Sequence, residues 1–152
     1  MKVDKNNFTC AIARTTNLLG DKWSLLILRD IILHKKCRFG EFIRSKEKIA
    51  TNVLTNRLKF LVEEGFIRKL NPHGTKKSTK YIATDKGISS LPIVIEMYLF
   101  SIHTIDESSL NDNQLTLKND LLENRFSFEK KRIREYTEFV KELEQSLLEN
   151  AF

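Results

Sequence analysis

The sequence predicts a mainly α-helical chain carrying one small β-hairpin, and three observations predict it. Apolar residues recur at helical spacing over most of the 152 residues. One stretch, residues 66–84, instead breaks into two short runs around the turn-rich Asn71-Pro72-His73-Gly74. A composition of 41% hydrophobic and 30% charged residues, with ten Phe, supplies a core and excludes wholesale disorder. The length suits one domain, or one domain plus an extension.

The elements follow in order. Ala11, Ile12, Leu18 and Leu19 predict a short helix over 9–19, ended by Gly20 in the left-handed conformation. Asp21 is placed to cap a second helix over 22–33, where Trp23, Leu26, Ile27, Ile31 and Leu33 recur and Leu25, Leu28 and Ile32 widen the stripe until it is almost all round. That pattern marks a central core helix. Residues 38–43 read as a short supporting helix. Thr51 is expected to cap a helix over 52–64, ended by Gly65, with Leu54, Leu58 and Leu61 on its buried face. At 100° per residue, Asn52, Asn56, Lys59 and Glu63 point away from that face, with Thr55 beside them and Arg57 on the opposite shoulder. The hairpin comes next, with Lys76, Lys77 and Lys80 at its basic tip, and from Asp85 one helix is expected to about 103, kinked at Pro92.

Three helices, a fourth with a polar outward face, and then a basic hairpin are the order of a winged helix-turn-helix. DNA explains such a layout. A major groove about 12 Å wide admits one helix whose Asn and Thr side chains pair with base edges, while Lys and Arg neutralise phosphates. The candidate recognition residues are Thr51, Asn52, Thr55, Asn56, Arg57 and Lys59, and the candidate wing contacts are Lys76, Lys77 and Lys80. For Arg57, at the margin of the core stripe, a structural ion pair and a phosphate contact stand level. Charge is distributed accordingly: residues 1–100 hold 19 Lys and Arg against 9 Asp and Glu, whereas residues 101–152 hold 7 against 11.

The residues also resemble a known family. Cys10, the run Leu18-Leu19-Gly20-Asp21-Lys22-Trp23 followed by Leu26-Ile27-Leu28-Arg29-Asp30, then Arg38-Phe39-Gly40-Glu41-Phe42, then Val53-Leu54-Thr55 with Arg57-Leu58, Leu61 and Glu64-Gly65, and finally Tyr81, Thr84 and Lys86-Gly87 are similar to the HxlR-type winged-helix transcriptional regulators over residues 9–102. The resemblance implies a dimeric, DNA-binding bacterial or archaeal regulator related in fold to the MarR group, with recognition helix 52–64 and wing 71–80. Some members carry, at the position of Cys10, a thiol that senses electrophiles or disulfide stress. Two departures stand out: Ala11 follows Cys10 where members usually have Pro, and Lys76-Lys77-Ser78-Thr79 replaces a wing that usually contains Pro.

The family's usual chain stops soon after the helix at 85–103, which divides the sequence into a DNA-binding domain, 1–105, and a helical extension, 106–152. In the extension Ile133, Tyr136, Val140, Leu143 and Leu147 are spaced 3, 4, 3, 4 on a Glu/Lys-rich helix over 128–150. So short a helix must pack against its own domain, another copy or a different protein. Self-association is the first expectation.

Cys10 falls at a helix start, with Arg14 one turn on and Lys5 upstream, where the dipole and cations favour a thiolate. Cys37, on a basic loop, is the candidate resolving thiol for redox sensing. Three scattered His residues, His34, His73 and His103, give no metal-ligand spacing, and no cofactor is expected. The absence of a phosphate-cradling Gly loop, GxSxG or HExxH argues against an enzyme. No apolar run approaches the roughly 18 residues that span a bilayer, and the polar start lacks a signal core, which places the chain in the cytoplasm. The leading expectation is therefore a homodimeric, sequence-specific DNA-binding transcriptional regulator responsive to an oxidant or small molecule. The alternative is a protein-interaction module acting through the C-terminal helices.

Overall fold

The computed structural model describes residues 10–75 and 77–151. Its elements run α1 (Ala11–Leu19), α2 (Ser24–His34), α3 (Phe39–Ile43), α4 (Thr51–Glu63), β1 (Ile67–Lys69), β2 (Tyr81–Ala83), α5 (Asp85–Ile88), α6 (Leu91–Thr104), α7 (Asp112–Glu123) and α8 (Arg125–Glu149), with a single 3-10 turn at Glu107–Ser109. The two strands pair antiparallel, with Ile67 opposite Ala83 and Lys69 opposite Tyr81. The mainly helical winged helix-turn-helix expected from the sequence is the fold observed.

α2 is the centre. Leu28 and Ile31 are wholly buried and Ile27 and Ile32 nearly so, while α6, α8 and β2 pack around them. Its one buried carboxylate, Asp30, is compensated on every side. Arg29 donates to it at 2.7 and 3.0 Å, Lys36 at 3.1 Å and Ser45 at 2.6 Å. A buried charge is tolerated only with such partners. Because Ser45 lies in the turn between α3 and α4, this cluster also locks the helix-turn-helix onto the core.

Local chemistry sets the element boundaries, and it corrects three expectations. Gly20 ends α1 with φ −80°, not left-handed. A Cβ there would lie 2.2 Å from the Thr16 carbonyl oxygen, so close approach is what requires glycine. Gly65 does take φ +77°. With the Gly65 N–H donating to Val62 O and the Phe66 N–H to Leu61 O, it closes α4 in a Schellman motif. Thr51 is not a cap: Ala50 occupies the cap position, and Thr51 is the first helical residue. The single helix expected from 85 is two, α5 and α6, broken at Ser89-Ser90. Pro92, lacking an N–H to continue the first helix, sits in the first turn of α6 instead of kinking its middle.

Of the three surfaces open to the extension, part of the chain's own core is one that it meets. Its α8 lies against α2. Tyr136 is 1% exposed, and Ile133 and Val140 pack on the same core. Leu143 and Leu147, farther along, are half-buried. The heptad-like seam drawn as a dimerisation surface is thus largely consumed inside the chain, because α2 presents an apolar flank that the shorter helices leave open. Tyr136 also completes the sheet. The outward N–H groups of β2 are those of Tyr81, donating to Cys37 O at 2.7 Å, and of Ala83, donating to the Tyr136 hydroxyl at 2.8 Å. No helix of the described residues is long and apolar enough to cross a membrane.

Candidate nucleic-acid interface

α4 displays the face that the sequence places outward. Leu54, Leu58 and Leu61 are buried at 2% exposure or less, which leaves Thr51, Asn52, Thr55, Asn56 and Lys59 exposed along one side. The Thr55 hydroxyl donates back to Thr51 O at 2.9 Å. Lys59 has a loose i,i+4 partner in Glu63 at 4.0 Å, a contact too weak to hold the ammonium from a phosphate.

Arg57 has a partner within the chain. Its guanidinium lies 3.4 Å from Asp21 and 4.8 Å from the centre of the Phe60 ring. Asp21 in turn accepts from the Trp23 and Ser24 N–H groups at 2.8 and 2.9 Å and from the Ser24 hydroxyl. Partial burial alone would raise the Asp21 carboxyl, but these hydrogen bonds, with Arg57, hold it below its ordinary value. One carboxylate therefore starts α2 and fixes the recognition helix to it.

The hairpin is braced by Asn71, whose side chain donates to Ser78 O at 2.7 Å and accepts from the Lys80 N–H at 2.8 Å. Lys77 is exposed; Lys80 is half-buried, and its backbone bridges to Arg38. Lys76 lies outside the described residues. Two groups of basic residues escaped the sequence reading: Arg44, Lys46 and Lys48 in the turn before α4, all exposed, and Arg68 and Lys69 on β1. Their alternation with Ser45 and Glu47 was a visible signal that the turn carries cations on one side. Arg68 is engaged by Glu144 of α8 at 2.7 Å.

The two thiols differ sharply. Cys10 is exposed at the N-terminal end of α1, where the backbone N–H groups of Ala13 and Ile12 lower its proton affinity. Those amides, not Arg14, are the cause; Lys5 lies outside the described residues. Cys37 is 5% exposed, and burial, with Glu41 beside it, pushes its thiol up. A buried thiol of raised proton affinity is a slower nucleophile than an exposed one. No cluster of metal-ligating side chains occurs among the described residues.

A match to the HxlR-like helix-turn-helix family spans residues 18–109. The chain belongs to this family. Among curated relatives, the uncharacterised HTH-type transcriptional regulator YdzF of Bacillus subtilis is 32% identical over 83 residues, covering 55% of this chain and 76% of YdzF. Among solved structures, PA1607, described as a candidate transcription factor, is similar with a TM-score of 0.59 and 31% identity over 68% of this chain and 70% of its own. The redox regulator HypR in its oxidised form is similar with a TM-score of 0.56 and 27% identity over 64% of this chain and 99% of its own. The family segment contains α2 through α6 and the wing, and it stops before α7 and α8. The protein is thus a transcriptional regulator with a DNA-binding helix-turn-helix, built on the common segment and enlarged by two helices.

Proposed function

We propose that the protein binds double-stranded DNA sequence-specifically as a homodimer, with α4 in the major groove and the wing on the neighbouring backbone. The exposed Asn52, Thr55, Asn56 and Lys59 on a helix anchored by three buried leucines carry this reading. Such a face offers hydrogen-bonding groups for base edges at fixed spacing, and the cations of the preceding turn flank it with phosphate contacts. Dimerisation is supported by large apolar side chains left in water, Ile12 of α1 at 78% and Phe100 of α6 at 74% exposure. The alternative, an interaction module acting through the C-terminal helices, would have to use their outer side chains, Leu122, Phe126 and Leu148, since Ile133, Tyr136 and Val140 pack within the chain.

Responsiveness to oxidants rests on Cys10, exposed and poised toward the thiolate, together with the likeness to a redox regulator. A charge or an adduct gained at the start of α1 would bias the dimer between geometries that fit the operator differently. The deciding experiment titrates reduced protein into DNA from upstream of its own gene, beside a scrambled duplex, across a salt series. Preference for the upstream DNA with a log-log salt slope of several units is expected. Absence of binding to either duplex at low salt overturns the reading.

A further inference from the structure

We infer that the extension completes a binding site for a small, uncharged, largely hydrocarbon or aromatic molecule, in the partly open apolar cavity between α2, α6, α7 and the start of α8. The cavity has a volume of about 400 Å³, within the range of roughly 300–1,000 Å³ typical of small-molecule sites. Leu25 and Leu33 of α2 and Tyr98 of α6 form one wall, and Leu117, Leu121 and Phe128 form the other. That second wall lies wholly outside the family segment, which ends at residue 109. The site is a property of this chain's added helices, not of the common fold.

The chemistry of the occupant follows from what the polar groups can offer. Arg29, at the margin, is committed to Asp30 and Glu47 at 2.7 and 2.8 Å, so its charge is balanced before any ligand arrives. The Tyr98 hydroxyl donates to Gln114 O at 2.8 Å. Burial lowers the proton affinity of His34, leaving a neutral ring at the rim that serves one hydrogen bond. An anion would find no uncompensated cation here and a cation no free carboxylate. An apolar cavity walled by Leu and Phe binds aromatic molecules through displaced surface and dispersion alone.

The second wall is fixed in place. Arg125 pairs with Glu96 of α6, Lys118 pairs with Glu107, and the bond from Tyr98 to Gln114 staples α7 across the opening. These contacts tie the second wall to α6 and to the turn that precedes α7.

The test uses the full chain and the uncharged probe N-phenyl-1-naphthylamine, read by its fluorescence. Saturable binding at one probe per chain is expected. Leu25→Phe and Leu117→Phe, which fill the cavity from opposite walls, should each weaken binding about tenfold or more while leaving the thermal melt in place or raised. Phe126→Ser, which removes an exposed apolar side chain outside the cavity, should leave binding unchanged. Absence of saturable binding overturns the inference, and so does binding that survives both filling variants. Lys59→Ala separates this result from the DNA reading, since it should lower DNA affinity and leave probe binding intact.

Discussion

Removing one oxygen atom from Tyr136 should cost the protein a measurable part of its stability. In Tyr136→Phe the ring stays in a site 1% exposed, so apolar packing is conserved, but the buried Ala83 N–H loses its acceptor at 2.8 Å. The nearest polar substitute would have to enter a closed interface between α8 and β2. A buried donor left unsatisfied costs about 1–3 kcal/mol, which for a chain of this size lowers the melting temperature by roughly 2–12 °C. A second signature lies in alkali. Burial raises the Tyr136 hydroxyl to about 12, above the value near 10 expected in the unfolded chain. Its contribution is therefore complete below about pH 10 and lost as pH rises toward 12. Urea titrations of wild type and Tyr136→Phe at pH 7 and across pH 9.5–11.5 measure both effects. A change below about 0.3 kcal/mol at pH 7, or an identical alkaline slope in the variant, would refute the role assigned to this hydroxyl.

Other outcomes follow from the same structure. Asn56→Ala should weaken operator binding by about 1–3 kcal/mol, whereas Lys59→Ala should weaken operator and scrambled DNA alike and reduce the log-log salt slope by about one, both read by fluorescence anisotropy. Gly65→Ala forces a Cβ into φ +77° and should cost about 1–2 kcal/mol in urea unfolding. Glu47, held down to about 2 by its hydrogen bond from Arg29, stabilises the fold above its ordinary carboxylate value, and that contribution disappears as pH falls from about 4.5 toward 2; Glu47→Gln should flatten the acid-unfolding slope in that window. Iodoacetamide at neutral pH should label Cys10 well before Cys37, as followed by peptide mass mapping.

The elements of the helix-turn-helix were legible in the sequence because their signals are local. The Leu54, Leu58, Leu61 spacing places α4, Gly65 its end, and the Asn-Pro-His-Gly turn the wing. Arg57 could not be assigned, since its partner Asp21 is distant in sequence and adjacent only once α2 and α4 cross. The burial of Cys37 was illegible for a related reason: its neighbours along the chain are basic, while its backbone carbonyl accepts from Tyr81 of β2, a strand far along the sequence. The heptad spacing in α8 was read correctly as an apolar seam, but periodicity carries no information about which surface the seam meets.

Tyr136 reaches from a helix outside the family segment to the strand that carries the wing, and Glu144 grips Arg68 from the same helix. The helices beyond the family segment are therefore in a graft union with it, not on a loose tether. A truncation at residue 105 would leave the Tyr81 N–H on Cys37 but strip the Ala83 N–H of its acceptor and uncover the flank of α2 that α8 covers, inviting aggregation. Insoluble protein after trimming this chain to family length would report a torn joint, and would carry no information on whether the shortened domain still reads DNA.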